Sequence, residues 1–357
     1  MRSSYRDADV TLLLKDITGL VKPQPTEERE RLIQAGKHYS EMLPVEYVPT
    51  KKYMEVYAEA LEKFARPTAQ AVGMMSDKMI QAKGKDVVIV SLARAGIPIG
   101  ILAKHFISRK YQIDIPHYAI SIIKGRGIDE NAMNYLLERY QPQQLLFVDG
   151  WIGKGAILEE LRKDVETYAG VSADIAVVAD PANVTELCGT HEDILIPSSC
   201  LNCTVSGLVS RTFLRDDIIG PSDFHGAVYY GELADSDLSY QFIEAIERCF
   251  EMGENRIDCP AQAAPGSRVA GCGIDEVRAL ARVFHVEDIN LIKPGIGETT
   301  RVLLRRVPWK VLIDERYQGS QELEHIIRLA AEKNVPIAFY PLRHYKCCGI
   351  IKKLAEA

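Results

Sequence analysis

The chain has 357 residues, enough for two domains and for a full core without staples. Hydrophobic residues make up 47% and charged residues 26%, which excludes a disordered or fibrous chain. The net charge of −6 argues against a protein that coats itself in nucleic acid. It hides an asymmetry, however: from Asp275 onward 14 Lys+Arg face 11 Asp+Glu, giving +3 and leaving −9 for the rest, so an anionic partner is expected for the C-terminal segment.

The N-terminus, MRSSYRDADV, is polar and lacks the apolar stretch of a signal peptide. No apolar run approaches the ~18 residues that span a bilayer. A cytoplasmic protein with no membrane partner is expected, its eight scattered cysteines held as thiols. Residues 28–83 read as mostly helical, with apolar residues at helical spacing in KKYMEVYAEALEKFA and a second helix after Pro67. DVVIVSLA (86–93) reads as a strand, followed by Arg94-Ala95-Gly96 and the helix IPIGILAKHFI. YAISII (118–123) is a second strand; the loop KGRGIDEN and the helix AMNYLLERY follow it. QQLLFVDG (143–150) leads through a glycine-rich turn into AILEELRKDVETY, and ADIAVVAD (173–180) is a fourth strand. Strands alternating with helices indicate βαβ units and a parallel sheet, with ligands expected beyond the carboxyl ends of its strands.

The segment 257–273 is Pro/Gly/Ala-rich and aperiodic. Domain 1–262, linker 263–274 and domain 275–357 are the expected divisions. In the last, DEVRALARVF, TTRVLLRRV and ELEHIIRLAAEKN read as helices, and INLIKPG, KVLIDE and IAFYPL as strands: a second, small α/β unit.

The sharpest local signal is LLFVDGWIGKGAILEEL (145–161), where a strand ends in Asp149 and a glycine turn opens a helix. Glycines let backbone N–H groups approach a phosphate, and the helix N-terminus favours an anion. The pattern resembles the phosphoribosyl-diphosphate (PRPP) loop of type I phosphoribosyltransferases, with Gly150 in place of a second acid. SLARAGIPIG (91–100) resembles their pyrophosphate loop, and IIKGRGIDEN (122–131) sits where they carry a mobile charged loop. The resemblance implies a type I phosphoribosyltransferase-like α/β fold, a mainly parallel sheet flanked by helices. It further implies PRPP and phosphate binding by Arg94, Ala95, Gly96, Gly153, Lys154, Gly155 and Ala156. Asp149, Lys124 and Arg126 would be catalytic, with Mg²⁺ held at Asp149. Asp180, Ser198, Arg211 and His225 are candidates for an acceptor pocket for a base-like small molecule.

INLIKPGIGETTRVLLRRVPWKVLIDER and NVPIAFYPLRHYKCCGIIKKL resemble the Pelota/kink-turn RNA-binding family. That resemblance implies a Pelota-like domain whose Gly295, Gly297, Glu298, Thr299, Arg301 and Arg305, with Arg306, contact RNA. The two units together resemble a bacterial family linked to tellurium-resistance and stress operons, whose members are labelled StiP, sometimes as cysteine proteases. The expectation that follows is a PRPP-dependent phosphoribosyltransferase acting on a base-like or nucleotide-like metabolite in tellurite and stress resistance; the family analogy suggests a homodimer. Two alternatives stand beside it. A cysteine protease would need Cys200 or Cys203 beside His191 or His225. A non-catalytic PRPP or nucleotide sensor would suit Gly150. Cys200-Leu-Asn-Cys203 by itself lacks the further ligands of a zinc site.

Overall fold

The computed structural model describes residues 1–251 and 272–353. The linker expected at 263–274 lies outside the described residues except for its last three positions, which open a helix.

Six strands form one wholly parallel sheet: β1 Thr11–Leu12, β2 Val88–Leu92, β3 His117–Ile120, β4 Leu145–Trp151, β5 Ile175–Ala179 and β6 Cys188–Thr190. They lie in the order β1-β3-β2-β4-β5-β6. The runs VIVSL and IAVVA are buried throughout, because helices cover both faces of a parallel sheet. Alternate strand residues serve alternate layers. Ile89, Leu146, Val148 and Val178 pack with α2 (Lys51–Lys83) and α3 (Gly96–Tyr111). Val90, Phe147, Ile175 and Val177 pack with α4 (Glu130–Leu137) and α5 (Ala156–Val165). A short α1 (Thr26–Gln34) precedes these, and α6 (Ser239–Glu247) packs against α2 and α3.

The helix expected to break at Pro67 instead runs through it as a single 33-residue element. A proline inside a helix costs about 3 kcal/mol. Here the buried stripe of Phe64, Ala71, Val72, Met75 and Met79 docks on β5 and β6, and that packing outweighs the local break. Gly189 of β6 lies so close to α2 that a Cβ on it would stand 2.1 Å from the Ala71 carbonyl oxygen.

The C-terminal unit has a four-stranded mixed sheet of β7 Ile292–Pro294, β8 Pro308–Ile313, β9 Ile337–Phe339 and β10 Cys347–Ile351, in the order β7-β10-β8-β9. Its helices are α7 Cys272–Val283, α8 Ile296–Arg305 and α9 Glu324–Glu332. The expected architecture holds at this level: a mainly parallel sheet with helices, followed by a small α/β domain. No helix among the described residues is long and apolar enough to cross a membrane.

Candidate functional site

Two sites lie at the carboxyl ends of the parallel strands, where such sheets place ligands. The first is an open cleft of about 1580 Å³ between the sheet and the C-terminal unit. Its floor is the turn after β4: Asp149, Trp151, Gly153, Lys154, Gly155 and Ala156 all line it, as does Ala95 from the turn after β2. Gly155 holds φ at 87°, a left-handed conformation that glycine adopts without strain, and α5 starts from it. Burial pushes the Asp149 carboxyl up to about 6, although its Oδ1 accepts the Gly150 N–H at 2.7 Å. Lys154 crosses the cleft and donates to the Ile289 and Ile292 carbonyls at 2.7 and 3.3 Å. Lys124 donates to Asn290 Oδ1 at 2.8 Å from the same side.

The remaining residues of the expected phosphate site lie elsewhere. Arg94 does not face the cleft; its Nη1 pairs with Glu46 at 2.9 Å and donates to the Val209 carbonyl at 2.8 Å. Burial opposes the charge on Arg94, but Glu46 outweighs it and raises its pKa. Gly96 is packed under β4, where a Cβ would lie 2.3 Å from the Val148 carbonyl oxygen. Arg126 is drawn off to Glu41. For Mg²⁺, Asp149 is the one acid at its strand end; Glu298 stands across the cleft with Arg301 beside it at 3.2 Å. A hard cation seeks several oxygens, and this wall is mostly cationic.

The four acceptor-pocket candidates do not meet. Arg211 lines the cleft, whereas Ser198 sits in the turn Pro197–Cys200 outside it. His225 is buried, with Nδ1 on Ser121 Oγ at 2.9 Å and its N–H on Asp129 at 2.5 Å. Asp180 belongs to the second site.

That second site is at the ends of β5 and β6. Cys188 Sγ lies 3.4 Å from His191 Nε2. His191 Nδ1 lies 3.0 Å from the Asp180 carbonyl oxygen and 3.6 Å from its carboxylate. A proton on Nδ1 satisfies that carbonyl and turns the Nε2 lone pair toward the thiol. Asp180 Oδ2 accepts the Val184 and Thr185 N–H groups at 2.7 and 2.9 Å, which fixes the carboxylate; its Oδ1 is buried without a partner. Burial pushes Asp180 up to about 6 and the Cys188 thiol up to about 12. Lys78 of α2 clamps β6 by donating to the Cys188 carbonyl at 2.8 Å.

This corrects the expected cysteine–histidine pairing. Cys200 and Cys203 are as buried as Cys188 and their thiols are raised alike, but among the described residues their charged neighbours are Arg305 and, for Cys203, Glu46 and Arg94, with no imidazole beside either. His191 faces Cys188 instead. The signal was present as Cys188-Gly-Thr-His191, in which the three residues of β6 run straight into the histidine, beside the strand that Asp180 follows.

The RNA-contacting turn expected in the C-terminal unit faces the N-terminal domain. Asp193 Oδ1 accepts the Ile296 N–H at 2.9 Å, and Gly295, Gly297 and Thr299 are buried. Arg305 donates to the Leu201 carbonyl. Glu298 and Arg301 do line the cleft, with the Arg301 guanidinium 4.6 Å over the Trp151 ring.

Comparison with known proteins agrees with one of the alternatives weighed from the sequence. A family described as "Tellurite-like stress resistance cysteine protease StiP" matches residues 3–247. The PELOTA RNA binding domain matches residues 272–353, which supports RNA binding by the C-terminal unit. A protein of Acinetobacter baylyi named "Cysteine protease StiP" is 32% identical over 370 residues, covering 99% of this chain and 94% of its own length. A cysteine protease is a hydrolase, so these matches overturn the expected PRPP-dependent phosphoribosyltransferase, and the transferase chemistry and PRPP substrate go with it. The chain belongs to the StiP family.

Proposed function

We propose that this chain is a cysteine protease whose nucleophile is Cys188, with His191 as general base and Asp180 as the group that orients the base. One observation carries the reading: a thiol in contact with an imidazole whose other nitrogen meets the Asp180 carbonyl, with the Asp180 carboxylate 3.6 Å away, around two neighbouring strands in a chain whose curated relative is named a cysteine protease. Burial keeps the resting thiol protonated, so His191 takes its proton as sulfur attacks the peptide carbonyl. The S–C bond forms, His191 returns the proton to the leaving amine as the C–N bond breaks, and water then hydrolyses the thioester. The RNA-binding unit that follows the catalytic domain is part of the same proposal.

The test is peptidase activity of the full chain on casein and on fluorogenic peptides. Cys188→Ala and His191→Ala should each lower kcat/KM by about a thousandfold or more. Cys200→Ala and Cys203→Ala should leave it within a few-fold of the parent. Full activity in Cys188→Ala would sink the proposal.

One observation favours a second reading. Donor atoms of Asp180, Cys188 and His191 all lie within 4.8 Å of one another, a ligand set suited to Zn²⁺ with an open position. Stoichiometric zinc in the purified protein and loss of activity with a chelator would favour that reading over the thiol nucleophile.

A further inference from the structure

The turn by which the C-terminal unit would reach RNA is closed by the protein itself. Asp193, 5% exposed, accepts the Ile296 N–H through Oδ1 and the Lys346 N–H through Oδ2, both at 2.9 Å. Its carboxylate occupies the N-terminus of α8, where a phosphate would otherwise sit. A Cβ on Gly297 would stand 3.6 Å from Ser199 Oγ and 3.8 Å from the Trp151 ring. RNA bound to this conformation needs another approach.

The other flank of α8 is open and opens into the cleft. Ten Lys and Arg residues line that cleft against five Asp and Glu, in a chain whose net charge is −6. Both domains contribute: Lys124, Lys154 and Arg211 from the first, Lys293, Arg301 and Arg306 from the second. Some of these charges are spoken for, since Arg306 pairs with Glu30 at 2.9 Å and Arg301 with Glu298. Among the described residues Arg211 has no carboxylate within ion-pair distance, only the Tyr39 ring 5.5 Å away, and Lys293 feels the Glu298 carboxylate without forming a close ion pair with it. Burial and neighbouring cations push Arg211 down to about 9 and Lys154 down to about 8, and an anion in the cleft would relieve both. Tyr39, Trp151 and Trp309 add aromatic surface on which bases stack. At about 1580 Å³ the space exceeds the roughly 300–1,000 Å³ of a small-molecule pocket, which favours a strand over a mononucleotide.

We propose that single-stranded RNA binds in this interdomain cleft, its phosphates held by Arg211 of the N-terminal domain and Lys293 of the C-terminal unit, with the charges of Lys154 and Arg301 beside them. The inference rests on the RNA-binding match of residues 272–353 and extends it to residues of the protease-family domain.

The test is fluorescence anisotropy of a labelled oligouridine with the full chain, at several salt concentrations. Arg211→Gln and Lys293→Gln should each weaken binding about tenfold and flatten the log–log salt slope by about 0.7, the value for one lost phosphate on a single strand. Arg139→Gln, in the exposed turn just past α4, should change neither; thermal melts of each variant confirm folding. Wild-type binding with no effect of Arg211→Gln would overturn the cleft inference and leave RNA binding by the C-terminal unit intact. No wild-type binding would overturn both. Uridine monophosphate competing at the same concentration as the oligouridine would show a mononucleotide site and overturn the strand.

Discussion

The two sites share one sheet edge and differ in almost every physical respect. The cleft beyond β4 is wide, open and cationic, and its walls come from two domains. The cluster beyond β5 and β6 is closed, and its thiol is 1% exposed. The contrast shows that the topological rule for parallel sheets locates ligands without saying what they are. Burial decides the rest: the turn after β4 leaves Lys154 reaching across an open cleft, whereas β6 seals Cys188 beside an imidazole.

The largest effect expected to separate the two sites is chemical. Cys188→Ala should abolish peptidase activity, by about a thousandfold or more, and leave oligouridine affinity unchanged. Loss of both would mean that the sites are not independent. The next effect concerns stability. Arg94, the residue that sequence pattern assigns to a phosphate, is paired inside the domain with Glu46, whose side chain is 4% exposed. Arg94→Met should therefore cost about 3–5 kcal/mol in urea denaturation, because it leaves a buried carboxylate uncompensated. A neutral result, with weakened RNA binding, would return Arg94 to the cleft.

Asp193 sharpens the comparison through pH. Burial raises its carboxyl from an ordinary 3.8 to about 6, so the folded protein holds this proton more tightly than the unfolded chain. Wild-type stability from this group therefore falls as pH rises between those values, and an asparagine does not titrate. The stability of Asp193→Asn relative to wild type should climb across that window, by at most about 3 kcal/mol. A flat difference would mean that Asp193 is not buried against α8. A smaller effect is expected at Gly189, where alanine would press on the Ala71 carbonyl and cost about 1–3 kcal/mol, displacing the neighbouring Cys188.

Much of the scaffold was legible in the sequence. β2, β4 and β5 are apolar runs bounded by turns, and the glycines at 153 and 155 mark the turn that floors the cleft. The edge strands β1 and β6 have two and three residues, too few for a periodic signal, and β10 owes its place to pairing on both sides. The helix through Pro67 is set by tertiary packing that no local rule reports. Arg94 was misplaced because its partner Glu46 is remote in sequence, in a segment without a motif. The pairing of Cys188 with His191 rests on the three-residue β6, which carries no periodic signal of its own beyond the Cys-X-X-His spacing. Cys200 and Cys203 have the more chemical spacing, and no spacing reveals that neither has an imidazole beside it among the described residues.

The most direct test of the account is to map the cysteine that a peptidyl vinyl sulfone modifies in the full chain, by peptide mass spectrometry. The account predicts adduct on Cys188, lost in His191→Ala and slowed by excess peptide substrate. Adduct on Cys249 or another thiol, with Cys188 unmodified while proteolysis is inhibited, would contradict it.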